Sequence, residues 1–144
     1  MSIPKMNRQW LLVRRPEGAF SPKDLEYHEE PVPGGALRDG EIIVRNLCCL
    51  CAPTIRTWMG ARARFQPSIA LGSPVLGPTI ARVLHSANPA YPVGRLLLTM
   101  SGWQDIARID TARAQGQLIV YPVGLTPVEC LGALGVNALT AYFG

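Results

Sequence analysis

Long apolar runs are missing from this sequence. No stretch reaches the ~18 uninterrupted apolar residues of a membrane span. The Trp10-Leu11-Leu12-Val13 run is too short for the apolar part of a signal peptide and has arginines on both sides. A soluble, cytoplasmic protein without a membrane partner is expected, its four cysteines reduced. Histidine is scarce. His28 and His85 stand in separate strand patterns, and a lone histidine cannot build a metal site. A dominant charge is lacking too: the net charge is +4, and the basic residues are scattered. Their nearest approach to a cluster, Arg56 with Arg62 and Arg64, reads as a solvated face, because phosphate sites need converging donors as well as charge. No nucleic-acid partner is expected. Low-complexity tracts, internal repeats and a Gly-x-Gly-x-x-Gly turn after a strand are absent as well.

What the chain has in quantity is punctuation. Thirteen prolines and 14 glycines in 144 residues are hard to fit into long helices. They favour many short strands joined by turns. A length of 144 residues suits one domain with a real core. Strand patterns are expected at 8–13, 25–30, 41–50, 80–85, 95–100, 104–110 and 118–121. Pro31-Val32-Pro33-Gly34-Gly35 reads as a rigid connector and Asp39-Gly40 as a turn. Residues 53–59 suggest a short helix, and 64–78 a proline-interrupted loop. The pattern then changes. Thr126-Pro127-Val128-Glu129 is a helix start with a mechanism: Thr126 caps an amide, Pro127 fits the first turn, and Glu129 reaches back to the Thr126 amide. A short apolar helix to about Gly135 is followed by a second at 138–143, with Asn137 as its cap. Spacing and turns alone suggest a small β-barrel or sandwich.

Four cysteines need weighing. Cys48 and Cys51 form a Cys-x-x-Cys after a strand, formally a redox signature, but the βαβ context such a motif needs is missing. The plainer reading is small residues at a strand end, with Cys130 packed inside its helix.

Several phrases, in order, carry a family resemblance. They are Asn7-Arg8-Gln9-Trp10-Leu11-Leu12, Arg15-Pro16-Glu17-Gly18, Glu30-Pro31-Val32-Pro33, and Gly40-Glu41-Ile42-Ile43-Val44-Arg45-Asn46-Leu47. Pro53-Thr54-Ile55-Arg56, Gly102-Trp103-Gln104-Asp105 and Leu139-Thr140-Ala141-Tyr142-Phe143-Gly144 complete the set. Together they resemble the alkenal/prostaglandin reductase branch of the medium-chain dehydrogenase/reductase superfamily. The resemblance implies a mainly β fold: a GroES-like β-barrel at residues 1–125, then short junction helices at 126–144. The nucleotide-binding Rossmann domain that follows in the family is missing from this stretch, so the chain alone is expected to be inactive.

The implied activity of the full-length form is NADP-dependent reduction of an activated carbon–carbon double bond in a small-molecule enal or enone. The implied cofactor contacts are Pro53 and Thr140, and the implied substrate contacts are Thr54, Gly77 and Pro78. No catalytic side chain is assigned. Zinc members of the superfamily use a Gly-His-Glu where this chain reads Gly77-Pro78-Thr79, so no metal is expected. Ala52, Thr54 and Ile55 also depart from the branch's Asp-Pro-x-Met-Arg pattern, and Gly94-Arg95 from its Gly-Asp. Pro53 and Gly77 serve equally as turn residues. The apolar stretch 128–143 suggests self-association into a homo-oligomer. The alternative function is a non-catalytic GroES-like module that binds a ligand or a protein.

Overall fold

In a computed structural model, which describes residues 4–32, 34–61, 67–114 and 118–144, the expected strands pair antiparallel. Strand β1 (Met6–Leu12) pairs along its whole length with β2 (Leu25–Pro31). The connection ends in a 3-10 turn, Pro22–Asp24. Ser21 caps this turn, and the Asp24 carboxylate accepts from the Ser21 amide at 2.9 Å. β1 also takes β4 (Ser73–Pro74) on its other side, which leaves β2 as an edge strand in the order β2-β1-β4.

The second sheet has the order β7-β3-β5-β6-β8. Its strands are β3 (Glu41–Cys49), β5 (Thr79–Ser86), β6 (Leu96–Thr99), β7 (Ile106–Asp110) and β8 (Ile119–Val120). Its centre is buried on both faces, as the consecutive buried residues 41–44 of β3 require. Ile42 and Val44 pack with Ala81, Val83, Leu97 and Ala107. A second cluster, Leu12, Ile55, Met59, Ile69 and Val75, joins the first sheet to helix α1 (Pro53–Trp58).

The mainly β fold with short C-terminal helices is therefore present, but its sheets do not close into one hydrogen-bonded ring. Among the described residues, neither β7 nor β8 bonds to the far edge of the first sheet. The sheets are joined instead through residues 102–105. Trp10 N–H donates to the Trp103 carbonyl at 2.9 Å, and Trp103 N–H to that of Val75 at 2.8 Å. Asp105 N–H donates to the Arg8 carbonyl at 3.0 Å, and Asn46 N–H to that of Asp105 at 2.8 Å.

The local signals held at some places and failed at others. Strand 104–110 begins only at Ile106, because the residues before it form this joint. β4 lies inside the expected loop, where a proline hid it; it is recruited by β1. Helix α2 (Pro127–Leu131) has the Thr126–Glu129 capping box. Helix α3 (Val136–Phe143) starts earlier than expected: its cap is Gly135, and Asn137 lies within it. The cause is a close backbone approach, since a Cβ on Gly135 would stand 2.0 Å from the Leu131 carbonyl oxygen. Pro33, Arg62 and Arg64 lie outside the described residues.

One buried charge sits at the start of β3. Glu41 is 4% exposed and accepts from Arg38 at 2.7 Å and Arg108 at 2.5 Å. Bonds from Arg108 and then Arg38 hold its carboxyl down to about 2, against an ordinary 4.5. A carboxylate depressed in the folded state adds stability above its unfolded pKa and loses it as pH falls toward the folded one.

Two outcomes are expected. Stability should fall as pH drops from about 4.5 to about 2, and Glu41→Gln should be less stable at neutral pH with a flatter fall through that window. Urea midpoints at about pH 7 and about pH 3 test this, and parallel pH profiles for the two proteins would refute it. Gly102 has φ +73°, and a Cβ there would stand 2.0 Å from the Val75 carbonyl oxygen. Gly102→Ala should therefore cost about 3 kcal/mol in urea unfolding, whereas a cost below about 1 kcal/mol would mean the joint relaxes freely.

Candidate functional site

At the open end of β3 the chain leaves the sheet through Leu50-Cys51-Ala52 and enters α1 at Pro53. Proline suits the first helical position, where an amide would go unused. Pro53 and Thr54 are both exposed. The neighbouring β5 strand begins just after Gly77-Pro78, and Leu50 N–H donates to the Pro78 carbonyl at 2.8 Å. Gly77 is buried against α1: a Cβ there would meet Ile55 Cδ1 at 2.9 Å. The small residue thus lets the Ile55 side chain of α1 pack directly on the strand start. Four of the five expected site residues, Pro53, Thr54, Gly77 and Pro78, meet around this strand end.

Thr140 is separate. It is exposed on α3, with its hydroxyl donating to the Val136 carbonyl at 2.9 Å. A groove of about 340 Å³ runs between the second sheet and the C-terminal helices. Leu98, Met100, Ile119 and Tyr121 line it from the sheet side, Leu50 and Pro78 from the strand end, and Leu131, Val136 and Leu139 from the helices. Pro78 and α3 therefore share a groove, while Thr140 is not part of its lining. Met100, Tyr121 and Leu139 were not singled out from sequence. They come from three distant segments, and each reads locally as ordinary core.

A polar chain behind the strand end fixes it. Thr79 is fully buried; its hydroxyl donates to the Gly77 carbonyl at 2.9 Å and accepts from Gly102 N–H at 3.2 Å. The Thr99 and Ser101 hydroxyls share a 2.6 Å bond, and Ser101 donates to Asn46 Oδ1 at 2.7 Å. Asn46 in turn donates to the Gly102 and Gln104 carbonyls at 3.1 and 2.7 Å. Buried hydroxyls satisfied in this way rigidify the backbone around them. The Thr79 hydroxyl is thus spent on backbone. Among the described residues, no three His, Cys, Asp or Glu side chains converge as a metal set would.

The cysteines divide. Cys130, on the inner side of α2, is fully buried, as expected, and accompanies Ile80, Leu96 and Tyr121 in one cluster. The Tyr121 hydroxyl donates to the Cys130 carbonyl at 3.1 Å. Cys48 packs against the same cluster and its thiol donates to the Pro127 carbonyl at 3.6 Å. Burial pushes the Cys48 thiol above the usual range, the opposite of an activated redox cysteine. Cys49 and Cys51 are exposed.

Comparison with known proteins agrees with this architecture. The family profile for the N-terminal domain of oxidoreductase matches residues 8–117. NADPH-dependent curcumin reductase of Escherichia coli (strain K12) is 31% identical over 140 residues, which are 96% of this chain and 39% of that protein. Prostaglandin reductase 1 of Oryctolagus cuniculus is 31% identical over 137 residues, 95% of this chain and 37% of that one. The crystal structure of CurA from Vibrio vulnificus superposes with a TM-score of 0.78 at 27% identity, over 95% of this chain and 39% of that one. The chain thus spans less than two fifths of the length of these two curated relatives. Matched over residues 8–117, most of its length, the chain belongs to the family of N-terminal domains of oxidoreductases.

Proposed function

We propose that this chain is the substrate-side domain of an NADP-dependent oxidoreductase that reduces activated carbon–carbon double bonds of enals and enones. The observation that carries the reading is the family match across residues 8–117, with curcumin, prostaglandin and 2-alkenal reductases among the relatives. The strand-end geometry supports it. In this reading Thr54, Gly77 and Pro78 border the substrate, Pro53 touches the cofactor from the start of α1, and Thr140 approaches it from α3.

The chain's own residues fit one end of the cofactor better than the other. The groove lining carries no charged side chain, so it suits a flat, reduced nicotinamide ring and an apolar alkene. Phosphates need charged or amide donors, which lie elsewhere in this reading. The hydride of such a reduction comes from NADPH. Leu50, Pro78, Met100 and Leu139 exclude water and hold the alkene's apolar part. The Thr140 hydroxyl already donates to Val136 and lies outside the groove lining, so in this reading it meets the cofactor beyond the groove, as an acceptor. The Thr79–Gly102 network holds the Gly77 turn rigid, which preserves the geometry a hydride transfer needs.

The helical segment supports a further part of the reading. Val128, Leu134, Val136, Leu139, Tyr142 and Phe143 are all exposed, an apolar face of the kind that seeks a partner. We assign it to contact with a second copy or a further domain.

Two measurements test this. The chain joined to a nucleotide-binding domain, through its own reading frame or from a relative, should consume NADPH with a 2-alkenal, and should do so equally well with a chelator present. A folded, soluble fusion that binds NADPH yet leaves enals and enones untouched would sink the proposal. The 144-residue chain alone should self-associate as its concentration rises, and Tyr142→Glu with Phe143→Glu should return it to a monomer. Light scattering that reports a monomer at all concentrations would exclude the apolar face as a contact.

A further inference from the structure

Beyond the first bulge of β3, between Ile43 and Val44, exposure alternates residue by residue from Arg45 onward. Leu47, Cys49 and Cys51 are exposed, while Asn46, Cys48 and Leu50 between them are half-buried. This period of two splits the Cys-x-x-Cys of the sequence. Cys48 directs its thiol to the Pro127 carbonyl under α2. Cys49 and Cys51 are both exposed and stand two residues apart, so their side chains share the outward face of the chain. Both stand in a second groove, of about 490 Å³, which the half-buried Cys48 also borders and whose other walls include Trp10, Tyr27 and Trp103. Trp10 and Tyr27 meet edge to face at 5.4 Å, and both are exposed.

We propose that Cys49 and Cys51 form a two-thiol capture site for trivalent arsenicals that carry an aromatic substituent. The inference is independent of the reductase reading. Arsenic(III) is soft and forms two bonds to adjacent sulfurs, while the aromatic walls receive the ring. In the step, two As–O bonds and two S–H bonds break and two As–S bonds form. The reacting form is the dihydroxy arsenical, which an arylarsine oxide becomes by taking up one water; the thiol protons leave with its two hydroxyl groups as two molecules of water, and nothing is oxidised or reduced. Burial, and then the neighbouring Cys51, hold the Cys49 thiol above its ordinary range. That disfavours reagents that need one strong thiolate, and leaves those that condense with a pair of thiols.

The test uses phenylarsine oxide on the whole chain in the presence of excess monothiol, read by intact-protein mass spectrometry. One arylarsenic per chain should be retained, and a small dithiol should remove it. Because both cysteines are exposed, Cys49→Ser and Cys51→Ser should leave thermal unfolding unchanged, yet each should weaken retention roughly 100-fold, the scale of losing one arm of a two-point attachment. Cys48→Ala should retain the adduct. Trp10→Ala should weaken the phenyl adduct more than that of inorganic arsenite. No retained adduct on the unmodified sequence, or an adduct that survives Cys49→Ser but not Cys48→Ala, would overturn the assignment.

Discussion

The four residues Gly102 to Asp105 hold two sheets together, and the candidate strand end is tied to that seam. They bond to β1 on one side and to β3 on the other, with Val75 beneath. The turn that admits them needs a positive φ and a backbone approach that only glycine permits. The same Gly102 amide donates to Thr79, whose hydroxyl steadies Gly77. A constraint at the sheet junction is thereby transmitted, bond by bond, to the strand end where α1 and β5 meet. Rigid positioning of this kind is what a substrate-side domain can contribute when the reacting hydride comes from elsewhere.

How much of this was legible in the sequence depends on how local the cause is. β3 and β5 were readable because short clusters of consecutive branched apolar residues demand burial on both faces. The start of α2 was readable because Thr126, Pro127 and Glu129 are one self-contained device. β4 was not, since Ser73-Pro74 becomes a strand only by pairing with β1. The start of α3 was missed for a related reason: Asn137 is a good cap in isolation, but the contact of Gly135 with Leu131 decides the matter earlier.

The candidate site follows the same division. Pro53, Thr54, Gly77 and Pro78 came from motif order, and the strand pairing brings them to one place. The apolar groove beside them did not come from the sequence, because Met100, Tyr121 and Leu139 converge only in three dimensions. The cysteines are the sharpest case. Spacing pairs Cys48 with Cys51, whereas strand periodicity beyond a bulge pairs Cys49 with Cys51 and gives Cys48 to the interior.

The edge position of β2 has a consequence of its own. A free strand edge is a template on which another copy can build an intermolecular sheet. β2 carries Glu26, Glu29 and Glu30 within seven residues. Two such edges brought side by side in the antiparallel sense would stack carboxylates against carboxylates at close range, which is repulsive. The strand is thereby protected against its own kind while remaining paired with β1, where Arg8 stands opposite Glu29. Growth of the sheet into a fibre is discouraged at the edge where its backbone would otherwise allow it.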